Sequence, residues 1–246
     1  MARAGIGHSV EGAHAVTAAL RAGRVTALTV ESARAEHEPL FSLISSAKEA
    51  GVTVSYVDDV RPLAATTAPQ GVVAATTPLP LLALKDLVAR TEPAAIVVLD
   101  RVEDPRNVGA IARSAVAAGV AGLVVPERRA APISGAAFKA AAGAFEDLGV
   151  TVVGSIAEAI RDLQKLGVWA VGLDGRGERS LFDLDLLAAP VAMVVGSEGK
   201  GLSRLVRDRV DILVRIPTMA SMPSLNVSAA ATLAVFEMSR ARRPIT

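Results

Sequence analysis

From residue 94 onward the chain repeats one pattern. An apolar run of five to seven residues is followed by a longer stretch in which apolar positions recur at helical spacing. The runs are "AIVVLD" (95–100), "GLVVP" (122–126), "VTVVGS" (150–155), "VWAVGLD" (168–174), "VAMVVGS" (191–197) and "DILVRI" (211–216). Strands that are apolar on both faces and separated by helices predict an α/β fold whose mostly parallel sheet is covered on both sides. Ligands of such sheets bind beyond the carboxyl ends of the strands, so the loops after residues 100, 174, 197 and 216 are the places to search.

The first part of the chain is patterned differently. It predicts a helix over 11–22, a strand over 24–30, a helix over 38–50 and strands over 52–57 and 71–77, a small α/β unit. Between the two parts, "PLPLLALKDLVARTEP" (78–93) is bounded by prolines and reads as a linker with one short helix. The expected organisation is a small domain over 1–77, a linker over 78–93 and a large domain over 94–246.

Composition narrows the chemistry. The 246 residues are 51% hydrophobic, enough for sizeable cores. No apolar run reaches the roughly eighteen residues of a membrane span, and "MARAGIGHSVEG" lacks the apolar segment of a signal peptide, so a cytoplasmic protein with no membrane partner is expected. There are no cysteines, and His8, His14 and His37 all precede residue 40. Thiol nucleophiles, thiolate metal sites and a histidine base in the large domain are thereby excluded, and no metal is expected. The net charge of +1 does not announce a nucleic-acid partner, although arginines cluster locally at Arg101, Arg106 and Arg113, at Arg128 and Arg129, and near Lys200, Arg204, Arg207 and Arg209.

Three loops carry candidate chemistry. In "DRVEDPRNVGAIARSAVAAG" (100–119), Asn107 stands where a helix N-cap would, and Arg113 is a cation in a helix otherwise made of small and apolar residues. The turn has no G-x-G-x-x-G, which disfavours a dinucleotide. "GSEGKGLS" (196–203) spaces Gly196 and Gly201 like a Walker loop but has Leu202 at the lysine position, so it reads as a glycine loop with one projecting carboxylate, Glu198. In "SMPSLNVSAA" (221–230), Ser224 can cap the following helix, while Asn226, placed one turn inside it, needs another explanation.

In this order, "NVGAIAR" (107–113), "VVGSEGKGLS" (194–203) and "IPTMASMPSLNVSAAATLAVFE" (216–237) resemble the three motifs of the SpoU, or TrmH-type, RNA ribose 2'-O-methyltransferases. The resemblance covers 94–240. "GAHAVTAALRAGRVTALTV" (12–30) and "QGVVA" (70–74) resemble the small substrate-recognition domain of RlmB-type members, which act on large-subunit ribosomal RNA. Pro69 stands where relatives often have His, and Pro223 where a Glu is common.

The resemblance implies a sheet whose C-terminal part forms a trefoil knot, a homodimer, and S-adenosylmethionine as cofactor. It implies that Leu173, Gly196, Ile216 and Leu225 line the cofactor pocket through main-chain contacts, and that Arg113, Asn107, Glu198, Ser224 and Asn226 form the catalytic set. Arg113 acts there either as base or as the group that grips the adjoining phosphate and stabilises the developing alkoxide. The substrate implied is 23S ribosomal RNA. Transfer RNA is the nearest alternative substrate, and an RNA-binding protein that keeps the fold without catalysis is the alternative of another class.

Overall fold

A computed structural model describes residues 6–128, 133, 135–219 and 225–242. The small sheet consists of β1 (Ser9–Glu11), β2 (Val25–Glu31), β3 (Thr53–Val57) and β4 (Val72–Thr76), with α1 (Ala13–Arg21) and α2 (Leu40–Glu49) as its helices. Its order is β1-β4-β2-β3; β4 runs antiparallel to both neighbours, and β2 pairs with β3 in parallel. β1 has no counterpart in the hydrophobic pattern, because three residues are too few to show a period.

Residues 78–93 lie on the large sheet. Their short helix α3 (Leu84–Val88) buries Leu87 completely. A Cβ at Gly122 or Gly149 would come within 2.1 or 2.6 Å of Leu87 Cδ1, so glycines in two neighbouring strands make room for this helix. The Leu82 amide also donates to the Val150 carbonyl at 2.8 Å.

The large sheet holds β5 (Ala95–Leu99), β6 (Gly122–Pro126), β7 (Gly149–Val153), β8 (Trp169–Leu173), β9 (Arg179–Ser180), β10 (Val191–Val195) and β11 (Ile212–Arg215). All its pairings are parallel, in the order β7-β6-β5-β10-β8-β11-β9. The helices α4 (Pro105–Ala117), α5 (Gly135–Ala141), α6 (Ile156–Lys165), α7 (Arg204–Arg207) and α8 (Val227–Arg242) complete the chain. Period-two alternation divides the strand residues between two cores: Ala95, Val97 and Leu99 share one with α4, α5 and α8, whereas Ile96 and Val98 share the other with α3 and α6.

The two sheets are joined firmly. Arg24, immediately before β2, makes a paired contact with Glu146, Nε to Oε2 and Nη2 to Oε1 at 2.8 Å each, and both side chains are buried. Phe138 of α5 packs on Phe145 with ring centroids 4.9 Å apart, and its edge faces Gly7. The C-terminal end of α8 is pinned by Arg242, whose guanidinium donates to the carbonyls of Leu187, Pro93, Ala94 and Ala189 at 2.8–3.1 Å. Burial pushes the pKa of that guanidinium down.

Candidate functional site

The chain winds outward from β5 through β6 to β7, crosses back to β8, and then inserts β10 between β5 and β8. The carboxyl ends of β5, β10, β8 and β11 therefore lie side by side at the point where the winding reverses. Each of these strands is followed directly by a residue that shapes the site: Asp100, Gly196, Asp174 and Ile216.

The loop after β10 folds back on itself. Ser197 and Gly201 exchange backbone hydrogen bonds of 3.1 and 2.9 Å, with Gly199 and Gly201 at φ of 73° and 66°. A Cβ on Gly196 would stand 2.2 Å from the Gly201 carbonyl carbon, so only glycine permits this crossing. Leu202 is buried, which explains why no phosphate-binding lysine stands there.

Two buried carboxylates hold the loop from below. Asp100 Oδ2 accepts the Ser203 amide at 2.6 Å. Asp174 receives Arg176 Nε at 3.0 Å and Arg207 Nε at 3.2 Å, while Arg207 also donates to the Leu202 carbonyl at 2.8 Å. Burial raises the Asp174 pKa, but hydrogen bonds from Arg176 and the charges of Arg176 and Arg207 outweigh it and hold the carboxyl below its ordinary value.

Above the loop, three separate segments meet at one carboxylate. Glu198 Oε1 accepts Asn107 Nδ2 and Asn226 Nδ2, each at 2.7 Å, and Asn226 Nδ2 also lies 3.4 Å from Asn107 Oδ1. Asn107 is not the cap of α4. Asp104 is, accepting the Arg106 amide at 2.8 Å with Pro105 in the first turn, so Asn107 sits inside the helix, buried and free to reach Glu198. The Asp104 carboxyl is held below its ordinary value by hydrogen bonds from Arg106.

Asn226 likewise departs from the expectation of a residue one turn inside the last helix. It immediately precedes α8 and caps it, its Oδ1 accepting the Ser228 amide at 2.9 Å and the Ser228 hydroxyl at 2.6 Å. The amide is thus divided between two tasks, oxygen to the helix and nitrogen to Glu198. Ser224, expected to supply that cap, lies outside the described residues.

Beside this junction opens a cavity of about 420 Å³. Leu173, Gly196, Ile216 and Leu225 all line it, together with Glu198, Asp174, Arg176, Thr218, Val227 and Ala230. Asp174 and Arg176 carry no mark in the hydrophobic pattern; the available signal was an acidic residue directly after a buried strand, repeated at Asp100. Arg113 does not line the cavity. It is exposed on α4 and, among the described residues, its side chain has no hydrogen bond or ion pair. Six residues beyond Asn107, it stands about 9 Å further along the helix axis. Instead, Ser114, two turns from Asn107 on its own face, meets Thr232 of α8 at 2.7 Å.

The lining suits S-adenosylmethionine. Apolar walls from Leu173, Ile216 and Leu225 fit a flat base, and the glycine crossing exposes backbone groups.

Comparison with known proteins identifies the family of the chain. The family model described as "SpoU rRNA Methylase family" matches residues 94–236, and that described as "RNA 2'-O ribose methyltransferase substrate binding" matches residues 9–82. A 23S rRNA (guanosine-2'-O-)-methyltransferase RlmB of Shewanella oneidensis is 39% identical over 239 residues, covering 94% of this chain and 96% of the relative. The RlmB of Xylella fastidiosa is 46% identical over 160 residues, 65% of this chain and 64% of that protein. Among solved structures, the SpoU methyltransferase AviRb from Streptomyces viridochromogenes in complex with AdoMet superposes with a TM-score of 0.79 at 27% identity, covering 95% of this chain and 90% of that one.

Proposed function

Because this chain belongs to the SpoU rRNA methylase family, we propose that the junction of Asn107, Glu198 and Asn226 is the acceptor side of its active site, and that its target is a ribose of 23S ribosomal RNA. The chain is an S-adenosylmethionine-dependent RNA ribose 2'-O-methyltransferase. The observation that carries the site assignment is the single oxygen, Glu198 Oε1, on which two otherwise distant motifs converge at the mouth of the cavity.

Bound in the cavity, the cofactor supplies a methyl group on a cationic sulfur. Leu173, Ile216 and Leu225 hold its apolar portion, and Gly196 lets the backbone approach it closely. Glu198 fixes both asparagine amides, which orients Asn107 Oδ1 toward incoming donors such as a ribose hydroxyl. The 2'-hydroxyl is a weak nucleophile, and the protein has no histidine or thiol here to take its proton. Arg113 grips the neighbouring phosphate and stabilises the alkoxide as it develops while a phosphate oxygen or water takes the hydroxyl proton, with Ser224 as a further positioning group.

Arg113 is too far along α4 to face its own cavity, and this favours a homodimer in which each subunit's arginine serves the other's site. Leu233 and Phe236 support the same reading: they are 42% and 44% exposed on α8, the helix packed against α4. The insertion of β10 between β5 and β8, followed by return of the chain to α8, supports a trefoil knot in the C-terminal part. A division into a small RNA-recognition domain (1–77), a linker (78–93) and a methyltransferase domain (94–246), working in the cytoplasm, completes the proposal.

The test is to map 2'-O-methylation on 23S ribosomal RNA from cells with and without the gene. One ribose methyl that vanishes with the gene, and returns with the wild-type but not the Glu198→Ala protein, is the expected result. An unchanged methylation map refutes the choice of substrate.

A further inference from the structure

A second cavity, of about 540 Å³, lies in the small domain. Its walls come from three segments: the first turn of α1 with His14, the bend at 32–40 with Arg34 and His37, and the loop before β4 with Gln70. We propose that this cavity receives an unpaired nucleotide of the substrate RNA, its base between the imidazoles and the Gln70 amide and its phosphate on Arg34. The proposal rests on the RNA-methyltransferase reading and extends it to how the target is chosen.

The pocket is built rather than incidental. Gln70 has a φ of 62°, a conformation that costs free energy for any residue with a side chain. Two glycines make space for its polar groups: a Cβ at Gly12 would lie 2.9 Å from Gln70 Oε1, and one at Gly71 would lie 2.7 Å from Arg34 Cδ. The wall that carries Arg34 and His37 is fixed by its backbone, with the His37 amide donating to the Arg34 carbonyl at 3.1 Å and the His37 carbonyl accepting from Leu40 and Phe41 at 3.0 and 3.1 Å. Lys139 of α5 hydrogen-bonds the Ala68 carbonyl, which ties the Gln70 loop to the helix packed on α4. The cavity therefore keeps a fixed position relative to the active-site helix.

Its chemistry matches a base and a phosphate. Arg34 pairs with no carboxylate among the described residues, and the one carboxylate at the rim, Glu38, accepts the Ser42 hydroxyl at 2.6 Å. Imidazole rings stack on splayed-out bases, a side-chain amide offers a donor and an acceptor to a base edge, and arginine meets phosphate bidentately. In a paired helix those base edges are occupied, so the pocket selects unpaired RNA.

The experiment uses the full chain and two labelled probes, a single-stranded RNA decamer and the duplex of the same sequence, with fluorescence anisotropy as readout. Gln70→Gly is the informative variant, because glycine keeps the positive φ without strain and only the side chain is lost. Decamer affinity is expected to fall about tenfold in Gln70→Gly and in Arg34→Ala, as for loss of one base or phosphate contact, with S-adenosylmethionine affinity by calorimetry and thermal stability unchanged. Wild-type decamer affinity in Gln70→Gly, or equal losses on decamer and duplex, overturns the proposal. Methyl transfer to ribosomal RNA, measured in parallel, separates the two ideas. Transfer by the wild type with an unchanged KM for RNA in Gln70→Gly removes the pocket alone. Absence of transfer by the wild type, with the decamer results as expected, removes the substrate reading alone.

Discussion

If Glu198 Oε1 is the point where two motifs are joined, the energies of Glu198→Ala and Asn226→Ala must not add. The glutamate accepts two hydrogen bonds of 2.7 Å, from Asn107 and Asn226. Such bonds to a charged group contribute about 1.5 kcal/mol each at the lower end of their range, the end appropriate here because Glu198 is exposed. Glu198→Ala then costs about 3 kcal/mol by that principle. Asn226→Ala removes one of the two bonds and also the cap on α8, worth about 1 kcal/mol, for a total of about 2.5 kcal/mol. The double variant loses both bonds and the cap once, about 4 kcal/mol, so it falls short of the sum by about 1.5 kcal/mol. The cap term appears in both arms of the cycle and cancels, which isolates the pair. Urea denaturation of the four proteins measures this directly. Additivity within about 0.5 kcal/mol would mean that the two residues act independently and that the junction is not a unit.

Three further outcomes are expected. Arg113→Ala should keep its affinity for S-adenosylmethionine in calorimetry while turnover on RNA falls about 100-fold or more, and wild-type turnover would place the reacting groups elsewhere. The Asp174 carboxyl is held below 3.8 in the folded protein, so its contribution to stability is complete above that value and is lost as pH falls through the lower folded value. The melting-temperature gap between wild type and Asp174→Asn should accordingly be constant from neutral pH to about pH 5 and shrink below about pH 4; a constant gap down to the acid transition would deny the ion pairs their role. In Gly109→Ala the new Cβ would lie 2.3 Å from the Ala137 carbonyl oxygen and 2.6 Å from Ala140 Cβ. Overpacking of about 1–3 kcal/mol should exceed the helix-propensity gain of about 1 kcal/mol and lower the melting temperature, and a rise in calorimetry would contradict the close packing of α4 on α5.

The large sheet was legible because its strands are buried on both faces, which writes each of them as a continuous apolar run flanked by helical spacing. Elements held by neighbours rather than by their own pattern were not. β1 and β9 are three and two residues long, and they exist because β4 and β11 offer them hydrogen-bonding edges. The prolines around 78–93 suggest a linker with one short helix, and what the pattern does not show is that Leu87 of that helix enters a space that two distant glycines leave open. Those glycines lie 35 and 62 residues downstream of Leu87, beyond the reach of any local period.

Within the site, residue types were readable and their assignments were not. The pattern reads Asn107 as a cap and Asn226 as an interior residue, and the structure reverses the two, because Asp104 and Pro105 start α4 three residues earlier and turn Asn107 inward while Asn226 immediately precedes α8 and caps it. What distinguishes the two is the partner of each amide, and that partner, Glu198, lies 91 residues from one and 28 from the other. The same separation accounts for Arg113. A cation in an alanine-rich helix at a strand end calls for an anionic partner, and among the described residues no carboxylate pairs with Arg113. An arginine exposed on α4 whose side chain has no partner among the described residues, one helix away from the exposed Leu233 and Phe236, leaves that face open for the proposed subunit contact and RNA phosphate.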